Sequence, residues 1–177
     1  LLKDLYEVKS LIDIGCTEDI PETTNTLEGN AKQKADYVKE KYGYDCFADD
    51  TGLEVEALDG APGVFTARYG GHEKDAQQNM NYLMNELEKV GALDPSERGA
   101  RFRTAIHLII NGKEVGLEGI CKGHIAPLQS GTAGFGYDPV FIPNGEDRTF
   151  SEMSAEEKNS MSHRGSAIRS MLEYLGV

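Results

Sequence analysis

The sequence has no tryptophan, only three cysteines and six prolines, and no long apolar run. Cys16, Cys46 and Cys121 lie far apart, with no C-x-x-C pair and no neighbouring Cys/His cluster. That spacing excludes a structural zinc module and a thioredoxin-like motif. An odd, scattered set of small apolar side chains fits a reducing compartment, so we expect a cytoplasmic protein. No stretch approaches the roughly 18–20 apolar residues of a membrane span. No basic segment leading into an apolar core opens the chain, so no retained signal peptide is expected. Positive charge is also scarce, with 18 Lys and Arg against 30 Asp and Glu and a formal net charge of −12. Such a chain lacks the broad basic face that nonspecific nucleic-acid binding needs. A small anionic substrate stays open, because a metal ion and a few local cations suffice to hold one.

The 177 residues suit a single domain, 1–177, large enough to bury a core without disulfide or metal staples. Strand and helix patterns alternate. Tyr6–Ile14 has alternating apolar character and reads as a strand. Asn25 to Gly43 reads as a helix capped by Asn25, with Glu28 completing a capping-box-like pair and Gly43 closing it. Tyr44–Ala48 is a short buried strand that runs into Asp49-Asp50-Thr51-Gly52. A second helix spans Asp75 to Val90. Arg101–Ile110 and Lys113–Ile125 flank Asn111-Gly112, the signature of a hairpin with a type I′ turn. Asp138–Ile142 is another short strand. Ser154 opens a short helix and Ser162 a last one, ended by Gly176. The sum is an α/β fold with a mixed central sheet and flanking helices. Leu1-Leu2-Lys3-Asp4-Leu5 reads as the end of a helix that begins further upstream, and we expect N-terminal residues before Leu1.

Three groups of residues carry chemistry. Phe47–Leu53 brings two carboxylates, a hydroxyl and a glycine to the end of a buried strand. Neighbours on an extended chain point to opposite faces, so Asp49 and Asp50 cannot serve alike. One suits a hard cation or an activated water, and the other suits loop anchoring. An Asx-turn with a solvated acidic tip fits the same residues. Gly131–Pro139 combines three glycines with Phe135 and Asp138, as a turn that meets a flat base or as a tight turn with an aromatic plug. Lys158 and Ser162-His163-Arg164-Gly165 offer cations near a helix start, for an anion or simply as surface charge. Ser162 and His163 are sequence neighbours, which is poor geometry for a nucleophile and its base, so a Ser-His hydrolase is rejected.

In order and spacing, FADDTGL (Phe47–Leu53), GAPGVFTARY (Gly60–Tyr69), GFGYDPVF (Gly134–Phe141) and KNSMSHRG (Lys158–Gly165) resemble the inosine triphosphate, or dITP/XTP, pyrophosphatase family. The resemblance covers nearly the whole chain. It implies an elongated α/β fold with two lobes around a nucleotide cleft, a homodimer, and Mg²⁺-dependent hydrolysis. The implied substrates are ITP, dITP and XTP, cleaved to monophosphate and pyrophosphate, which cleans the nucleotide pool. By motif, the resemblance implies that Asp50 is general base and metal ligand, with Asp49 and Glu22 completing the metal set. It implies that Lys34 and Thr51 contact substrate. Phe135, Gly136, Tyr137 and Asp138 then form the base-binding turn, and Lys158, His163 and Arg164 the opposite wall. Two features depart from the pattern. The family opens with a strand and a Thr/Ser-x-Asn-x-x-Lys loop that nothing here matches. The stretch Leu128-Gln129-Ser130-Gly131 also lacks the basic residue usual before the aromatic turn. Two other readings stay open: a related hydrolase with another base preference, and a nucleotide-binding module without catalysis.

Overall fold

The computed structural model describes residues 2–177, so Leu1, part of the expected helix end, lies outside them. The long hairpin organises the rest. Strand β2 (Gly99–Ile110) and strand β3 (Lys113–Ile125) pair from Gly99↔His124 to Ile110↔Lys113. Asn111 and Gly112 take φ of 51° and 71°, the left-handed pair that a type I′ turn requires. Strand β1 (Cys46–Val55) joins the free side of β2, and the short β4 (Phe141–Pro143) joins β3. The order is β1-β2-β3-β4, and all the described pairings are antiparallel.

Helices cover both faces, as the α/β reading expects. Helix α1 (Leu27–Tyr42) lays Leu27 and Ala31 against Ala105. Helix α4 (His163–Leu175) lays Ala167 and Met171 on Ile106 and Leu108 of the opposite face. The close approach of α4 depends on Gly119 of β3: a Cβ there would lie 2.1 Å from the His163 carbonyl oxygen. The largest core joins Leu53, Phe102, Phe141 and Phe150 to Leu83 and Leu87 of helix α2 (Ala76–Lys89). Side chains of this kind each contribute about 1.5–3 kcal/mol when fully buried. Ser154 and Ser162 cap helix α3 (Ala155–Met161) and α4, as read from the sequence, and Asp75 caps α2 through its bond to Gln78 N–H.

Four local expectations are corrected. Tyr6–Ile14 is not a strand: Ser10 and Asp13 close a turn through side-chain bonds, and Cys16 N–H reaches the Leu11 carbonyl. Local Ser/Asp chemistry outweighs the apolar alternation there. Helix α1 is capped by Thr26, whose Oγ1 accepts from Gly29 N–H at 3.0 Å, rather than by Asn25. Strand β1 does not stop at Ala48 but carries Asp49 to Gly52 in its middle, paired throughout with β2. Asp138–Val140 is a 3-10 turn, consistent with a proline that has no N–H to give a ladder, and only Phe141–Pro143 is strand.

Candidate active site

Alternation along β1 splits the two carboxylates between the faces of the sheet. Asp50 turns toward α1. Its Oδ2 accepts from Asn30 Nδ2 at 3.0 Å. Asn30 and Lys34 stand one helical turn apart, so one helix face presents both to β1. Lys34 Nζ lies 2.7 Å from Glu22 Oε1, 2.5 Å from the Asp49 carbonyl oxygen and 3.8 Å from Asp50 Oδ1. The ammonium thus sits between two carboxylates. Burial pushes the Asp50 carboxyl above the usual aspartate range, while the Asn30 bond and the Lys34 charge pull it partly back.

Asp49 turns the other way, and its Oδ2 receives Arg164 Nη2 at 3.1 Å. Thr51, on the same face, shares a 2.7 Å hydrogen bond with the buried Thr104. His163 begins α4 and stacks on Phe102, with ring centroids 4.7 Å apart. It is 8% exposed, and its Nδ1 is buried without a hydrogen-bond partner among the described residues. Burial first, then the charges of Arg164 and Lys158, hold the imidazole down to about 3, so it is neutral at pH 7.

The glycine-rich turn is braced from below. Asp138 is buried, and its Oδ2 accepts from Phe135 N–H at 3.0 Å and from Lys158 Nζ at 2.5 Å. A Cβ on Gly134 would meet Asp138 Oδ2 at 2.1 Å, and φ is 81° there, so glycine is required. Phe135 itself is 69% exposed, and Lys158 Nζ stands 4.6 Å from its ring centre. Gly136 has φ of 61°. Tyr137 is buried and donates its OH to the Thr66 carbonyl at 2.7 Å; burial raises its phenol.

The residues singled out from sequence therefore fall into three groups. Glu22, Lys34 and Asp50 meet on the α1 side. Asp49 and Arg164 meet on the α4 side, where Thr51 and His163 also lie. Phe135, Gly136, Tyr137, Asp138 and Lys158 form the braced turn. The expected metal set of Glu22, Asp49 and Asp50 does not converge, because Asp49 faces away and pairs with Arg164. Glu22 and Asp50 both offer carboxylate oxygen, the donor a hard cation prefers, and Lys34 Nζ stands between them. Among the described residues, the metal-ligating side chains that do cluster are Asp36, His107 and Glu114, where Lys32 already bonds to both carboxylates. Sequence reading missed Asn30, Thr66 and Thr104. Asn30 carried a usable signal, its i, i+4 spacing to Lys34. Thr66 lay inside the GAPGVFTARY block without being singled out, and Thr104 carried no signal, since strand register places it.

The arrangement is an α/β scaffold in which an acid-bearing strand stands between a lysine on one helix and an exposed aromatic turn braced from another. The chain belongs to the Ham1 family, whose pattern matches residues 1–174. It is 52% identical over 174 residues to the dITP/XTP pyrophosphatase of Flavobacterium psychrophilum, covering 98% of this chain and 89% of that protein. It is 43% identical over 171 residues to the dITP/XTP pyrophosphatase of Bacillus subtilis, covering 96% of this chain and 85% of that one. Among solved structures, the Staphylococcus aureus Ham1 protein matches with a TM-score of 0.88 at 34% identity. That match covers 97% of this chain and 87% of the other. The resemblance read from the four sequence blocks and the α/β class are both borne out.

Proposed function

We propose that this protein hydrolyses deaminated purine nucleoside triphosphates, ITP, dITP and XTP, to the monophosphate and pyrophosphate. Nucleoside-triphosphate hydrolysis is supported by relatives that carry the name dITP/XTP pyrophosphatase at up to 52% identity. The observation that carries the mechanism is the half-buried Asp50 carboxylate, fixed by Asn30, with Lys34 standing between it and Glu22. A carboxylate whose pKa is raised by burial is a better proton acceptor than a free one.

In this reading Asp50 orients a water and takes its proton as the water attacks the α-phosphorus in line with the leaving pyrophosphate. Lys34 holds phosphate oxygens. Glu22 and Asp50 would hold Mg²⁺, which supplies neutralisation of the charge that develops on the phosphates. Asp49 serves to fix Arg164 rather than to bind the ion. Phe135 offers its exposed face to the base, and the turn Gly136-Tyr137-Asp138 with Lys158 keeps that face in place. His163 and Arg164 form the other wall, and Thr51 contacts the substrate from β1. A wall that donates to a 6-oxo group leaves its donor unmet beside a 6-amino group, at about 1–3 kcal/mol against adenine. We place the protein in the cytoplasm as a homodimer. No described helix is long and apolar enough to cross a membrane. Light scattering on the purified protein reads the dimer directly.

The test is turnover of dITP with Mg²⁺, dATP in parallel, and products identified by phosphorus NMR. Monophosphate and pyrophosphate from dITP, with dATP much slower, is the expected result. Orthophosphate as first product, or equal rates on both substrates, overturns the proposal.

A further inference from the structure

Thr66 is the point at which the acid-bearing strand and the aromatic turn meet. It lies in a 3-10 turn, Gly63–Arg68, packed along the outer edge of β1. Its Oγ1 accepts from Leu53 N–H at 2.9 Å and donates to the Gly63 carbonyl at 2.5 Å. Its own carbonyl accepts the buried Tyr137 hydroxyl at 2.7 Å. One residue therefore ties a β1 backbone group, three positions from Asp50, to the turn that displays Phe135.

Neighbouring contacts make that tie stiff. Gly52 lets the 3-10 turn approach, since a Cβ there would stand 2.7 Å from the Gly63 carbonyl oxygen. Asn79 of α2 holds the far end, donating to the Ala67 carbonyl at 2.9 Å and accepting from Gly70 N–H at 2.7 Å. Val55 N–H is taken by the Ala61 carbonyl at 3.0 Å, so the segment follows the edge of β1 like a partial strand. A base held on Phe135 and a phosphorus held before Asp50 belong to one substrate. Their separation is fixed by the ligand, and the protein must match it. An error of about 1 Å in such a span costs up to about 100-fold in rate.

We propose that Thr66 is a positioning residue that sets the span between the base turn and the Asp50 carboxylate. The inference rests on the nucleotide reading above, and it names a residue that touches no substrate.

The experiment measures kcat and KM for dITP in wild type, Thr66→Val, Thr66→Ser and Tyr137→Phe. Amide hydrogen exchange at Phe135 and Gly136 is followed in the same proteins. Thr66→Val keeps the shape and loses the hydroxyl, and should lower kcat about tenfold with KM held within about twofold. Thr66→Ser restores the hydroxyl and should recover kcat to within about twofold. Tyr137→Phe cuts the other arm and should lower kcat as Thr66→Val does. Exchange at Phe135 and Gly136 should quicken in Thr66→Val and Tyr137→Phe, and not in Thr66→Ser. Unchanged kcat in Thr66→Val, or a loss that serine does not rescue, overturns the inference. If wild type fails to turn over dITP, the nucleotide reading falls, and the exchange data alone decide whether Thr66 ties the turn to β1. Unaltered exchange in Thr66→Val overturns that tie.

Discussion

Asp49 and Asp50 are consecutive on β1, yet their carboxylates are held by opposite faces of the molecule. Asp50 is bound by Asn30 of α1, and Asp49 by Arg164 of α4. The alternation of a strand turns one sequence pair into two separate tools. One is half-buried beside a lysine that also meets Glu22. The other anchors a cation on the side that carries His163.

Replacing Asp50 by Asn tests that division. The amide keeps the size and can still bond Asn30, but it cannot take a proton. Turnover of dITP should fall by about 10²–10⁴-fold, the usual worth of a general base. Circular dichroism and the melting temperature should stay close to wild type. Near-native turnover would remove Asp50 from the proton-transfer role.

The Asp138–Lys158 pair braces the aromatic turn from a buried position. Asp138→Ala leaves the partly buried Lys158 without its carboxylate and frees Phe135 N–H. Breaking a buried pair from one side costs about 3–5 kcal/mol. Urea unfolding should show a loss of that order. A loss under about 1 kcal/mol would mean that water already shares the pair.

His163 gives the protein a specific response to acid. The unfolded imidazole takes its proton near 6.5, and the folded one refuses it until about 3. Between those values the unfolded state binds more protons, so stability falls as the pH drops from 6.5 toward 3. It is fully present above 6.5. The slope reaches at most about 1.4 kcal/mol per pH unit. His163→Phe preserves the stack on Phe102 and removes the titration. Its melting temperature should depend less on pH across that window, and an unaltered dependence would contradict the account.

Gly119 sets how near α4 comes to the sheet. Alanine there would press on the His163 carbonyl and on Ala167 N, both backbone atoms that cannot rotate away. Overpacking of this kind costs about 1–3 kcal/mol or more. Gly119→Ala should lower the melting temperature and weaken dITP turnover, because α4 carries His163 and Arg164. A variant with native stability and turnover would show that α4 moves freely.

What the sequence made legible follows from how local each signal is. The Asn111-Gly112 hairpin and the caps at Ser154 and Ser162 lie within a few residues of what they specify, and all were readable. The opposite orientations of Asp49 and Asp50 followed from strand alternation alone. Tyr6–Ile14 misled, because Ser10 and Asp13 bond each other and close a turn that apolar spacing does not reveal. The length of β1 was missed because two acids and a glycine look like a strand end. Pairing with Ala100 through Ile109 carries them through. Thr66 lay inside the quoted GAPGVFTARY block, but its tie was not legible, since its partners Leu53 and Tyr137 lie 13 and 71 positions away.

The central claim is that water attacks the α-phosphorus, and ¹⁸O-labelled water tests it most directly. dITP is hydrolysed with Mg²⁺ in labelled solvent, and phosphorus NMR locates the isotope shift. The account predicts label in the monophosphate and none in the pyrophosphate. Label in the pyrophosphate would place the attack on the β-phosphorus and contradict the role assigned to Asp50.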